Sequence, residues 1–167
     1  MQSYLLLMAY SLSLLASATS GSADINDNST ALEVRVQAER RVVISTTQGA
    51  AQLRYMPAEK VRDGEQIHFT LRVRNAGSEP IDDAVVVRAL PHNTRYVAMS
   101  AAGPAADVSF SVDGGASFSR ERELTVTTAL GVKRGADPVD YTHIRWKLRH
   151  PLVPGAVALL RFRAEFF

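Results

Sequence analysis

The chain contains no cysteine. That absence removes disulfides, thiol catalysis, cysteine-based zinc centres and a lipidated N-terminal cysteine together, so stability has to come from an ordinary apolar core. An excess of one charge sign is missing too: 19 Lys and Arg stand against 17 Asp and Glu, and the formal charge of +2 is too small to argue for nucleic acid. There is no Gly-x-Ser-x-Gly elbow, no phosphate-binding glycine loop and no pair of carboxylates set for acid-base work. His68, His92, His143 and His150 have no short metal-ligand spacing, which argues against zinc. What is present is the composition of an ordinary globular protein: 167 residues, 46% hydrophobic and 22% charged, with one domain as the default.

The N-terminal segment is distinct from the rest. Residues 1 to 23 carry no charged side chain, and Leu5 to Leu15 is an apolar run of the length of a signal-peptide core, too short for the roughly 20 residues that span a bilayer. Ala16, Ser17 and Ala18 follow as an A-x-A-like cleavage signature, with Gly21 and Ala23 as a later alternative, although Met1 to Tyr4 supply no Lys or Arg. The expected organisation is therefore a signal peptide over 1–18, with cleavage as late as 23, a polar linker over 19–31, and a single domain over 32–167. Removing residues 1–18 leaves 149 of the 167 residues. A domain of that size buries roughly 68–70% of its unfolded surface, enough core without disulfides. No second apolar run of spanning length appears, so no integral membrane segment is expected in the mature chain and the expected location is the periplasm or cell surface.

From Leu32 onward the dominant period is two, the signature of half-buried strands. Leu32, Val34 and Val36 alternate with polar residues. In Gln66 to Asn75, Ile67, Phe69, Leu71 and Val73 share one face while His68, Thr70, Arg72 and Arg74 share the other. Further strands are expected over Val42 to Thr46, Gln52 to Tyr55, Ala84 to Ala89, Arg95 to Met99, Val108 to Val112, Leu124 to Thr127, His143 to Leu148 and Val157 to Phe166. Short strands with regular turns and no convincing helix imply an all-β fold, an antiparallel sandwich. Parity points Ile144, Trp146 and Leu148 inward with Leu160, Phe162 and Phe166. Outward it points His143, Arg145, Lys147, Arg161 and Arg163, which form one strip if these segments pair as a hairpin through Pro151 to Gly155. Such a strip is either a solubilising outer face or a cationic interaction face for an anionic envelope polymer or partner protein. The charges at Arg161, Arg163 and Glu165 also exclude a lipid-facing strand of an outer-membrane barrel.

Tyr55-Met-Pro-Ala-Glu-Lys-Val-Arg-Asp-Gly-Glu-Gln-Ile-His-Phe-Thr-Leu-Arg-Val-Arg-Asn-Ala-Gly has a proline, a Gly-Glu turn and a strand ending Asn-x-Gly. It is followed by Ala84-Val-Val-Val-Arg-Ala-Leu-Pro-His-Asn-Thr-Arg-Tyr-Val and Ser100, then by Tyr141-Thr-His-Ile-Arg-Trp-Lys-Leu and Val153-Pro-Gly-Ala. Over roughly residues 53 to 165 this resembles the bacterial domain-of-unknown-function family eleven, the conserved repeat domain of envelope and surface proteins. The resemblance implies an immunoglobulin-like sandwich in an exported bacterial protein and brings no catalytic residues. The chain carries a single copy with no internal repeat, unlike long surface stalks.

Two local motifs carry possible chemistry. Ser111-Val-Asp113-Gly-Gly115-Ala-Ser117-Phe118 fits the Asp-box pattern found on sialidase propeller blades. Here it reads as a structural turn, with Asp113 capping backbone N–H groups and Gly115 permitting positive φ, because one copy does not make a propeller. Asp24, Asn26, Asp27 and Asn28 match a cadherin calcium linker, but calcium takes six to eight oxygens and a solvated linker is the better reading. No cofactor is implied. The expected function is a non-enzymatic envelope module acting through protein-protein or protein-glycan contact. The alternatives are a periplasmic chaperone-like or assembly subunit and, less favoured, an envelope hydrolase.

Overall fold

The computed structural model describes residues 31–45 and 51–167, together with the backbone of a two-residue strand at Leu5–Leu6. The strands in chain order are β1 (Leu5–Leu6), β2 (Leu32–Ser45), β3 (Ala51–Pro57), β4 (Lys60–Val61), β5 (Gln66–Asn75), β6 (Val85–Ala89), β7 (Thr94–Tyr96), β8 (Ala106–Ser111), β9 (Thr125–Thr127), β10 (Lys133–Gly135), β11 (His143–Leu148) and β12 (Val157–Phe166). Among the described residues a single 3-10 turn, Glu121–Glu123, precedes β9. Every strand pairing is antiparallel, and the fold is nearly all β. Among the described residues no helix is long and apolar enough to cross a membrane.

Two sheets face each other. The larger runs β3-β2-β5-β12-β7 and the smaller β6-β11-β8, with β9-β10 and β1-β4 as two-stranded ladders beside them. Alternation drives this packing: Ile67, Phe69, Leu71 and Val73 of β5 and Leu160, Phe162, Ala164 and Phe166 of β12 are buried. They meet Ile144, Trp146 and Leu148 of β11, as their parity requires. Phe69 stacks on Phe162 across the β5–β12 pair at 4.6 Å between ring centroids. Between sheets, Trp146 lies 6.1 Å from Phe162 and Tyr96 lies 4.9 Å from Phe110. Hence β11 covers β12, β8 covers β7, and β6 covers β5. The small sheet ends there, so β2 and β3 have no strand opposite them among the described residues.

The expected hairpin between His143 to Leu148 and Val157 to Phe166 does not form. Within the three-stranded sheet β11 pairs with β6 and β8, whereas β12 pairs with β5 and β7 in the other sheet. The cause sits inside the Pro151 to Gly155 connection. Leu152 is buried and exchanges two backbone hydrogen bonds with Ile81, at 3.1 and 3.0 Å. An apolar side chain that must reach the core pulls the connection across the sandwich edge, where a hairpin loop would have kept it in solvent. Asn75 locks this corner: fully buried, it donates through Nδ2 to the carbonyls of Glu79 and Leu152, each at 2.7 Å, and accepts the Gly77 N–H at 2.9 Å.

Other boundaries differ by smaller amounts. The segments expected separately at Leu32 and at Val42 are one continuous strand, whose first part pairs with β5 and whose last part pairs with β3. The strand expected over Arg95 to Met99 stops at Tyr96, and Tyr96 Oη accepts the N–H groups of Ser100 and Ala101 at 3.0 and 2.9 Å. At Gly103 a Cβ would lie 2.6 Å from Leu160 Cδ2, so only glycine lets this loop approach the core. The proposed signal segment and linker, with Asp24, Asn26, Asp27 and Asn28, lie outside the described residues apart from Leu5–Leu6, which pairs with Val61 and Lys60, and Ala31, which packs against the core.

Candidate functional site

The loss of the β11–β12 hairpin divides the expected cationic strip. His143, Arg145 and Lys147 point outward from the small sheet, while Arg161 and Arg163 point outward from the large sheet, on the opposite side of the sandwich. The strip as a single face is therefore corrected to two.

On the small sheet each cation is engaged locally. Arg145 donates from Nε to Ser109 Oγ at 3.0 Å and lies 4.4 Å from the centre of the Phe118 ring. Lys147 pairs with Asp83 at 3.0 Å. The His143 ring lies under the glycine turn, where a Cβ on Gly115 would sit 3.5 Å from it, and its Nδ1 is 3.1 Å from Thr142 Oγ1.

The large sheet is different. Cross-strand register puts Glu33 beside Arg74 and Val157, then Arg35 beside Arg72 and Leu159, then Gln37 beside Thr70 and Arg161, then Glu39 beside His68 and Arg163. Arg41, next to Tyr55, and Arg95, next to Glu165, extend the same outward parity. Arginines thus outnumber glutamates seven to three on this face, counting Arg35, Arg41, Arg72, Arg74, Arg95, Arg161 and Arg163 against Glu33, Glu39 and Glu165. Glu33 is shared by Arg35 (2.6 Å) and Arg74 (3.6 Å), which holds its carboxyl below the usual range, and Glu165 is taken by Arg95 (2.6 Å). Among the described residues Arg41, Arg72, Arg161 and Arg163 have no carboxylate partner; Arg163 reaches only the amide oxygen of Gln66, at 3.2 Å.

His68 reports the resulting field. Its pKa lies below the ordinary value, first because of partial burial, then because of the charges of Arg163 and Arg41, with Glu39 opposing. The Tyr55 ring stands edge-on to it at 5.1 Å. Arg35 directly opposite Arg72 is a like-charge cross-strand pair, an arrangement that costs stability. The sequence already shows His68, Thr70, Arg72 and Arg74 on one outward parity. What it does not show is which strands lie beside them. The available signal was the recurrence of outward Arg-x-Arg spacing, at Arg72 and Arg74 and again at Arg161 and Arg163.

The Asp113 turn is a compact local network. Its carboxylate accepts from Ser111 Oγ (2.6 Å), Ser117 N–H (3.0 Å) and Ser117 Oγ (2.5 Å), which together drive its pKa far below the usual carboxylate value. Gly114 and Gly115 have φ of 76° and 92°, and the Gly115 N–H donates to Ser111 Oγ at 2.9 Å. Among the described residues each of these bonds is internal to the turn or goes to its neighbour Thr142.

A cavity of about 340 Å³ lies beside β7, lined by Arg95, Tyr96, Val97, Asp137, Pro138, Val139 and Glu165. Its two carboxylates are already held by guanidiniums, Glu165 by Arg95 and Asp137 by Arg134 at 3.1 Å. Among the described residues no group of three or more His, Asp or Glu is placed to hold a metal ion. Comparison with protein-family models, with curated proteins and with solved structures finds no match to this chain.

Proposed function

We propose that this protein is an exported bacterial envelope module of immunoglobulin-like type, without catalytic function, that binds an anionic glycan through the outward face of its large sheet. The observation that carries this reading is the set Arg41, Arg72, Arg161 and Arg163, carboxylate-free among the described residues and spread over three adjacent strands around Thr70 and His68. Guanidinium groups recognise carboxylates in bidentate geometry, and a polymer of uronic acids supplies carboxylates in series. Strands about 4.8 Å apart, with outward residues about 6.8 Å apart along each strand, give a grid of cations on the scale of successive sugar units. Among the described residues the face offers only Tyr55 and His68 as rings, already packed on each other, which disfavours base stacking and single-stranded nucleic acid.

The test is direct. Purified protein is titrated with polygalacturonate, with neutral dextran as control, at low and moderate ionic strength. Binding to the uronate polymer, weakening with salt, together with an upward shift of the His68 pKa as carboxylates offset Arg163 and Arg41, is the expected result. Equal retention on dextran, or a His68 titration that ignores the polymer, overturns the reading.

A further inference from the structure

β2 does not end where its pairing with β5 does. That ladder stops at Arg40 opposite Ile67, and from Arg41 to Ser45 the strand pairs only with β3, so about 17 Å of two-stranded ribbon runs past the end of β5. Charge is distributed unevenly along it. The rungs nearest β5 are Arg40 opposite Met56, Arg41 opposite Tyr55 and Val42 opposite Arg54. The next rungs, Val43 opposite Leu53, Ile44 opposite Gln52 and Ser45 opposite Ala51, hold no charge. From Val42 to Leu53 the sequence has no Asp, Glu, Lys or Arg, although the chain is 22% charged. Val43 and Leu53 share one face with Tyr55, and the three are 66%, 58% and 55% exposed. Val42 and Ile44, on the other face, are half-buried. Among the described residues Arg41 and Arg54 have no carboxylate partner, and Arg40 reaches only Glu65, at 3.5 Å.

We infer that this ribbon docks the protein on an anionic lipid bilayer. Val43 and Leu53 enter the boundary between headgroups and acyl chains, while Arg40, Arg41 and Arg54 stay at the phosphates with Tyr55 at the same level. The cations leave the ribbon from both faces, Arg41 on one and Arg40 and Arg54 on the other. A groove in a partner protein covers one face of a ribbon; a plane of anionic headgroups meets a collar of cations all round it. Depth agrees as well. The uncharged rungs span about 7–10 Å, and interfacial elements rest about 5–10 Å into the headgroup boundary. Deeper insertion is opposed by the two free edges of the ribbon, whose unpaired N–H and C=O groups need water or headgroups. Arg41 belongs to this surface and to the arginine set that faces the polyuronate, whereas Val43, Leu53 and Arg54 lie outside that set.

The intact protein is mixed with vesicles of phosphatidylglycerol and phosphatidylethanolamine, or of phosphatidylcholine alone, and the bound fraction is measured by flotation. The expected result is preference for the anionic vesicles, with affinity lowered about tenfold or more by Val43→Ser with Leu53→Ser and about fivefold by Arg54→Gln. Polygalacturonate affinity should be unchanged in the double serine variant, which also shows that it has folded. Leu53→Trp separates insertion from adsorption through the arginine face. It adds an exposed indole to the buried Trp146, and its fluorescence should shift to the blue on anionic vesicles and be quenched by lipids brominated on their acyl chains. Absence of binding at about 1 mM anionic lipid, binding unchanged in the double serine variant, or binding without quenching in Leu53→Trp overturns the inference. So does concentration-dependent self-association that the double serine variant abolishes, since it assigns the ribbon to a second copy.

Discussion

His68 stands where the charges of the large sheet converge, and its titration is the most sensitive single-residue readout of that face. Its folded pKa is lowered by burial and by Arg163 and Arg41. Below the unfolded value near 6.5 the unfolded chain therefore binds a proton that the folded chain refuses. The neutral ring's contribution to stability is fully present above that pH and is lost as pH falls through the lower folded value. Replacing Arg163 with Gln removes the largest of the charge contributions, so the NMR titration midpoint of His68 should rise toward 6.5 and the acid-side loss of stability should shrink. Asn75 makes a different prediction. Its three hydrogen bonds join the β5 end to the crossover loop in a fully buried setting. Asn75→Ala leaves two carbonyls and one N–H to find new partners and should cost at least about 2 kcal/mol in denaturant unfolding. Asp113 belongs to the same scale. Asp113→Ala should lower Tm while Asp82→Ala, an exposed loop acid, leaves it unchanged; an unaltered Tm for Asp113→Ala would contradict a structural turn.

At the scale of elements, the strands and their faces are legible in the sequence because period-two alternation is a local property. Ile144, Trp146, Leu148, Leu160, Phe162 and Phe166 are buried as parity requires. Strand neighbours are not local. A five-residue connection rich in proline and glycine suits a hairpin, and only the burial of Leu152 against Ile81 reveals that it crosses between sheets. That one non-local contact decides whether Arg161 stands beside Arg145 or on the far side of the molecule. The same reasoning bears on the β2–β3 pair. Beyond Arg41 this ribbon has no third strand among the described residues, and its residues Val43, Leu53 and Tyr55 are exposed. A two-stranded ribbon is marginally stable alone. Amides of Val42 to Ser45 and Gln52 to Tyr55 should therefore exchange by local opening, well before those of β5 and β12, whose exchange should report global unfolding. Equal protection throughout would mean that the ribbon is held by contacts beyond the two strands.

At the scale of the whole molecule, two cationic faces back to back make a discriminating experiment possible. Both carry arginine, so net charge alone predicts that either pair of substitutions weakens polyuronate binding equally. Geometry predicts otherwise. Arg72 and Arg161 are exposed, lack a carboxylate partner among the described residues, and stand diagonally across the β5–β12 pair, whereas Arg145 is held by Ser109 and Phe118 and Lys147 by Asp83. Loss of exposed ion pairs costs about 0.2–1 kcal/mol each, so Arg72→Ala with Arg161→Ala should reduce affinity for polygalacturonate about tenfold and flatten its salt dependence. Arg145→Ala with Lys147→Ala removes the same formal charge and should leave both quantities nearly unchanged. The two pairs sit on opposite faces with no shared partner, so their effects should add without coupling in the quadruple variant. Equal losses from both pairs would reduce the interaction to net charge, and coupling between them would require a ligand that wraps the edge of the sandwich.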